Sequence, residues 1–190
     1  MANDFRSARF WAQALIDPAL YPGARAVDAT MGNGGDTRRL CELVGEAGRV
    51  YGFDIQPEAV ERTRALLEEH GLIDRATLFC AGHEHMAQRV PEPVDAVMFN
   101  LGWLPGAPHG ITTRVETTLL AVDAALTLLK PDGIMTVCVY PGHGEGAREL
   151  EALNAWAAAL DPRRYDAMLR RYVNQPNDPP QLIAVRRVRR

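Results

Sequence analysis

Two carboxylates and a cluster of glycines occupy places where apolar runs give way to loops. The first carboxylate, Asp28, opens the segment Asp28-Ala-Thr-Met-Gly32-Asn33-Gly34-Gly-Asp36-Thr37. Glycines let a backbone approach a ligand closely, and a carboxylate beside them suits a cationic amino group, directly or through water. The second carboxylate is Asp54, in Gly52-Phe-Asp54-Ile-Gln56. It can accept both hydroxyl hydrogens of a ribose, or cap the helix that follows. A dinucleotide fingerprint needs a third glycine, G-x-G-x-x-G. Gly32 and Gly34 are present, but Thr37 fills the third place. Asp36 also puts negative charge near the helix start, where a phosphate would otherwise sit. These residues weaken a pyrophosphate reading without excluding it and suit a nucleoside cofactor with a cationic amino-acid tail, such as S-adenosylmethionine (SAM); the ribose of NAD would suit Asp54 equally. A glycine-rich turn with no ligand is the plain alternative.

A second constellation is Asn100-Leu101-Gly102-Trp103-Leu104-Pro105-Gly106. It is similar to the (Asn/Asp)-Pro-Pro-(Tyr/Phe/Trp) motif of amino-group methyltransferases, with Leu101 and Gly102 replacing the two prolines. The Asn100 amide oxygen and a nearby backbone carbonyl can accept hydrogen bonds from an amine. An aromatic ring at Trp103 can stack on a base held outside its helix. Methyl transfer from an activated donor needs chiefly orientation, but the attacking amine must be neutral. Tyr140 and His143, in Tyr140-Pro-Gly-His143-Gly, and His109 are candidates for taking its proton, and desolvation is the alternative. His83-Glu84-His85 has its histidines at i, i+2 with no further ligand set, so no metal is expected. A wall beside the adenine suits that segment better.

These residues need strand ends to hold them. Apolar runs at 24–30, 49–55, 76–80, 94–100 and 133–140 read as strands. Helical spacing marks 36–44, 57–70, 117–129 and 147–160. Lys130-Pro-Asp-Gly133 reads as the turn that closes the third of these helices. Residues 164–173 and 181–188 read as a closing strand pair around the proline-rich 174–180. A leading helix at 8–16 is placed to cover the pocket. The alternation predicts an α/β fold, Rossmann-like, with a mostly parallel seven-stranded sheet and helices on both faces. The chain reads as a single domain, 1–190.

The composition is that of a soluble cytoplasmic protein: 47% hydrophobic, 24% charged, net charge −3. No apolar run is long enough to span a bilayer. Cys41, Cys80 and Cys138 lack metal or disulfide spacing and read as small core residues. Charge is uneven. From residue 163 onward eight arginines face two aspartates, a net +6 that leaves −9 for the rest. Such asymmetry marks either a polyanion-binding face or a solvated hairpin.

Taken in order, 28–37, 52–56, His83-Glu84, 99–106, 113–118, Gly142-His143-Gly144 and 174–180 resemble a small bacterial family first labelled rRNA methylases. Its members are understood as class I SAM-dependent methyltransferases of the tRNA wobble uridine. The resemblance implies conversion of 5-aminomethyl-2-thiouridine at anticodon position 34 to its 5-methylaminomethyl form. It implies that Asp28, Gly32, Asn33, Gly34, Asp36, Thr37, Asp54 and Gln56 line the cofactor site, with His83 and Glu84 beside them. Asn100 and Gly102 would lie next to the methyl group. Tyr140, His143, Asn174 and Asn177 would border the nucleotide; separately, the charge of the terminal segment offers Arg170 and Arg171 to RNA phosphates. Two positions depart from the family: Ala81-Gly82 replaces an acidic or small polar pair, and Pro141 replaces a frequent histidine. The expected partners are a tRNA anticodon stem-loop and a second copy of the chain, with neither membrane nor metal. A methyltransferase acting on rRNA or a small amine is the second reading; a nucleotide-binding oxidoreductase or a silent binding module is the third.

Overall fold

The computed structural model describes residues 7–102, 112–142 and 144–189. The strands are β1 (Arg25–Asp28), β2 (Arg49–Asp54), β3 (Ala76–Cys80), β4 (Val94–Asn100), β5 (Leu129–Val139), β6 (Tyr165–Arg170) and β7 (Gln181–Arg187). The α-helices are α1 (Ala8–Ile16), α2 (Gly35–Val44), α3 (Pro57–Glu69), α4 (Met86–Arg89), α5 (Val115–Leu128) and α6 (Gly144–Ala158). They build a seven-stranded sheet in the order β3-β2-β1-β4-β5-β7-β6. Pairing is parallel from β3 to β5, and antiparallel where β7 joins β5 and β6.

Period-two alternation sorts the strand side chains onto two faces. Val27, Val97, Phe99, Val137 and Ile183 point into one core, which α5 and α6 cover. Their neighbours Ala26, Val50 and Ala96 pack with Leu40, Val44 and Leu67 of α2 and α3. Farther along that second face, Met98, Cys138 and Leu182 meet Ala8 and Ala12 of α1. The central strands are buried on both sides, which is why they read as near-continuous apolar runs.

Local chemistry sets the element ends. Ser7 Oγ accepts from Phe10 N and caps α1. Pro57 stands in the first turn of α3, where its missing N–H costs nothing. Gly45 follows α2 with φ +65, a conformation side-chained residues avoid. One expected turn resolves differently. Val94 pairs with Leu129 and Ala96 with Ile134, so Lys130–Gly133 loop out of β5 as a bulge instead of preceding it. Asp132, with φ +65, sits at that bulge. Helix α4 and the 3-10 turn His83–His85 before it give no sequence signal, because four residues carry too little periodicity. Among the cysteines, Cys41 and Cys138 are buried, but Cys80 is exposed and is not a core residue. Among the described residues no helix is long and apolar enough to cross a membrane, and no group of three or more side chains could hold a metal ion.

Candidate active site

Strand β1 lies between β2 and β4, so the chain winds away from it in both directions. Ligands of open α/β sheets bind at this switch, beyond the carboxyl ends of the strands. A cavity of ≈ 880 Å³ opens there, within the range of cofactor pockets.

One half of the cavity is built by the ends of β1 and β2. Asp28 is 1% exposed and stands behind the wall, outside the cavity lining. Its Oδ2 accepts from Thr37 Oγ1 at 2.7 Å and its Oδ1 from Thr30 N at 3.1 Å. Burial, and then the nearby charge of Asp36, push its carboxyl up to about 7. Thr37 is fully buried and serves to hold Asp28. Gly32 (φ +53) and Gly34 (φ +80) make the turn between them. A side chain at Gly34 would also meet Thr63 of α3 at 3.0 Å.

Asp54 ties this loop to the next. Its carboxylate accepts from Gly32 N and Gln56 N, each at 3.0 Å. A carboxylate has about four acceptor positions, so two remain for a ligand's hydroxyls. Asn33 and Gln56 line the same side, and Asn33 Oδ1 accepts from Arg62. Asp36 lines the cavity with its charge paired, accepting from Arg9 Nε at 2.9 Å and Gln13 Nε2 at 2.7 Å. These bonds fasten α1 across the mouth and bring Arg9 into the lining. No local sequence signal marks Arg9.

His83 and Phe53 supply an apolar wall. The His83 ring meets Phe99 edge-on at 5.7 Å, and burial lowers its pKa. Ala81 and Gly82 carry no carboxylate, but the bare Gly82 leaves room for one. A Cβ there would stand 2.2 Å from Glu84 Oε2, so the Glu84 carboxylate occupies that space.

The other half belongs to the ends of β4 and β5. Asn100 lines the cavity. Its N–H donates to Thr30 Oγ1 at 2.8 Å, and its Oδ1 accepts from the Tyr140 hydroxyl at 2.8 Å. Burial raises the Tyr140 pKa, so the phenol keeps its proton. Gly102 turns at φ +121. Its N–H donates to Thr113 Oγ1 at 3.1 Å and its carbonyl accepts from Thr113 N at 3.2 Å. Trp103, His109 and His143 lie outside the described residues.

Arg170, Arg171 and Asn174 do not reach this cavity. They line a separate groove of ≈ 620 Å³ with Trp11. The Arg170 guanidinium lies 3.5 Å from the centre of the Trp11 ring. Helix α1 walls both spaces, presenting Arg9 to one and Trp11 to the other. Asn177 lines neither; its carbonyl oxygen approaches Gly142. The terminal arginines do not form one face. Arg186 and Arg189 pair with Asp132, and Arg187 donates to Leu129 O, at the opposite end of the sheet. Antiparallel pairing separates residues close in sequence by the length of a strand.

A doubly wound sheet with a nucleoside-sized cavity at its switch, a ribose-type carboxylate after β2 and a glycine turn after β1 define a class I SAM-dependent methyltransferase. The family described as "Putative rRNA methylase" matches residues 50–186. The chloroplastic tRNA (mnm(5)s(2)U34)-methyltransferase of Arabidopsis thaliana is 36% identical over 178 residues, covering 88% of this chain and 65% of that protein. The crystal structure of an rRNA methylase from Clostridium thermocellum matches with a TM-score of 0.95 at 40% identity, covering 97% of this chain and 99% of that one. SMU.1697c, a methyltransferase from Streptococcus mutans solved in complex with SAH, matches with a TM-score of 0.89 at 33% identity, with the same coverage. The chain belongs to this rRNA methylase family.

Proposed function

We propose that this protein uses SAM to methylate the 5-aminomethyl group of wobble uridine 34 in tRNA, giving 5-methylaminomethyl-2-thiouridine. The observation that carries the reading is Asn100. Its amide oxygen takes one hydrogen bond from Tyr140 and keeps a second lone pair at the cavity wall. An amine N–H donated to that lone pair would fix the direction of attack. The name of the Arabidopsis relative supports the choice of amine.

When bound, SAM supplies an electrophilic methyl group on a sulfonium. Asp54 and Gln56 would hold its ribose, and His83, Phe53 and Glu84 would flank its base. The Gly32–Gly34 turn would admit the amino-acid tail, with Asp28 supplying negative charge from behind. Asp36 and Arg9 close that side as a neutral pair. Tyr140 orients Asn100 and keeps its own proton, so it is not the base. Loss of water on entering the cavity would favour the neutral form of the amine. Arg170, Arg171 and Asn174 line the groove across α1, where RNA flanking the target nucleotide would run. The family resemblance also gives Asn177 and His143 to the acceptor nucleotide, and the stacking reading gives it Trp103; Trp103 and His143 lie outside the described residues.

The test is direct. Purified protein and SAM are incubated with tRNA lacking only the final methyl, and its nucleosides are separated and weighed by mass spectrometry. The 5-methylaminomethyl nucleoside is the expected product. Its absence, with SAM bound by calorimetry, would overturn the substrate assignment. The family's rRNA label favours a second reading, and labelled methyl appearing in rRNA instead would establish it.

A further inference from the structure

Behind the acceptor half of the cavity, one hydrogen bond back from the lining residue Thr113, lies a second buried carboxylate. Glu149, on α6, is 1% exposed. Its Oε2 accepts from Thr113 Oγ1 at 2.9 Å and its Oε1 from Thr118 Oγ1 at 2.7 Å. Thr113 Oγ1 in turn accepts the Gly102 N–H at 3.1 Å. The chain of bonds runs from Glu149 through a single hydroxyl to the backbone beside Asn100. Because that hydroxyl donates its one proton to Glu149, its lone pairs stay turned toward Gly102. An acidic side chain so buried is costly without compensation. Here the first turn of α5 supplies it: Thr118 lies in that turn, and neighbouring Glu145 accepts from Val115 N. Glu145 thus meets the positive end of α5, while Glu149 is held by the two threonine hydroxyls.

We infer that Glu149 is a positioning residue for methyl transfer, fixing the Asn100–Gly102 turn through Thr113 without touching cofactor or substrate. The inference rests on the reading of Asn100 as the amine's acceptor. Gly102 has φ +121, one of many conformations open to glycine, so bonds are needed to hold the backbone in it. Two bonds to Thr113 do so: the threonine N–H donates to the Gly102 carbonyl, and the Gly102 N–H donates to Thr113 Oγ1, which Glu149 keeps in the rotamer that accepts it.

Glu149→Gln offers one acceptor oxygen where two are needed, so one hydroxyl must turn away. Thr113→Val removes the link with little change in shape, and Thr113→Ser restores the hydroxyl. Turnover is expected to fall about 10- to 100-fold in Glu149→Gln and in Thr113→Val, and to recover in Thr113→Ser. SAM affinity should stay within about twofold by calorimetry. The double variant should be no slower than Thr113→Val alone, since Glu149 acts through Thr113. Exchange of the Gly102 amide proton should quicken in both single variants. Losses that multiply in the double variant, SAM affinity falling in step with turnover, or unchanged Gly102 exchange would each overturn the inference. If the wild-type protein methylates no amine, the functional reading falls, while the exchange measurement still decides whether Glu149 holds the turn.

Discussion

Each half of the cavity is backed by a buried carboxylate that has no cationic partner among the described residues. Asp28 serves the cofactor half and Glu149 the acceptor half. Both are 1% exposed, both accept from a threonine hydroxyl, and burial raises the pKa of both. They differ in reach. Thr37 lies nine residues from Asp28, whereas Thr118 and Thr113 lie 31 and 36 residues from Glu149. The Asp28–Thr37 part of the cofactor half is thus a local motif within one turn, which Asp54 and Arg9 join from 22 and 27 residues away. The acceptor half exists only when α5 and α6 dock and bring distant residues together. Binding the shared cofactor can rely on a contiguous loop, while placing one particular acceptor depends on tertiary packing.

The sharpest way to separate the halves is Asn100→Ala. Methyl transfer should fall by about 100-fold or more, as a misplaced nucleophile requires. SAM affinity should change by less than about threefold. Equal losses in both would merge the halves into one site.

Asp28→Asn probes the other side. In the unliganded protein Asp28 holds its proton up to about pH 7. A cation in the cavity favours the ionised form. SAM affinity should therefore rise as pH increases toward 7, with proton release, and level off above. For folding the sign is opposite. A raised pKa gives stability that is full below the ordinary value of 3.8 and lost as pH rises through about 7. Asparagine at this position should flatten both profiles and weaken SAM binding by about tenfold. Calorimetry and thermal melts across about pH 5 to 8 check both, and profiles unchanged by the substitution would remove Asp28 from the cofactor half.

The smallest effect concerns the groove beyond α1. Replacing Arg170 and Arg171 with glutamine should weaken tRNA binding severalfold. It should also shallow the salt dependence by about 0.7 to 0.9 for each phosphate left without its arginine. Arg186→Gln, at the far end of the sheet and paired with half-buried Asp132, should leave RNA affinity unchanged. Filter binding at several salt concentrations distinguishes them. Equal effects would restore the view of one basic face.

The strand–helix alternation and the two-faced core were legible because each rests on periodicity within a few residues. Asp28, Gly32, Gly34 and Asp54 were legible for the same reason, since turn chemistry after a strand is a local property. The Lys130–Gly133 turn is recognisable from its residues, but its place inside β5 depends on the pairing with Val94 and Ala96. Arg9 and Glu149 give no signal, because a charged residue on a helix reads as solvent-facing until another element covers it. The arginine-rich terminus reads as one patch because sequence records proximity along the chain, and a hairpin folds that proximity into opposite ends. Sequence by itself determined the strand–helix alternation and the glycine loop after the first strand, through short-range sterics and hydrophobic period, while the strand order and its switch point came from the pairing of distant segments. Only the tertiary structure decided that Asp28 stands behind the cofactor loop, that Tyr140 fixes Asn100, and that Glu149 reaches Gly102 through Thr113. Those bonds join residues that meet only after the helices have packed.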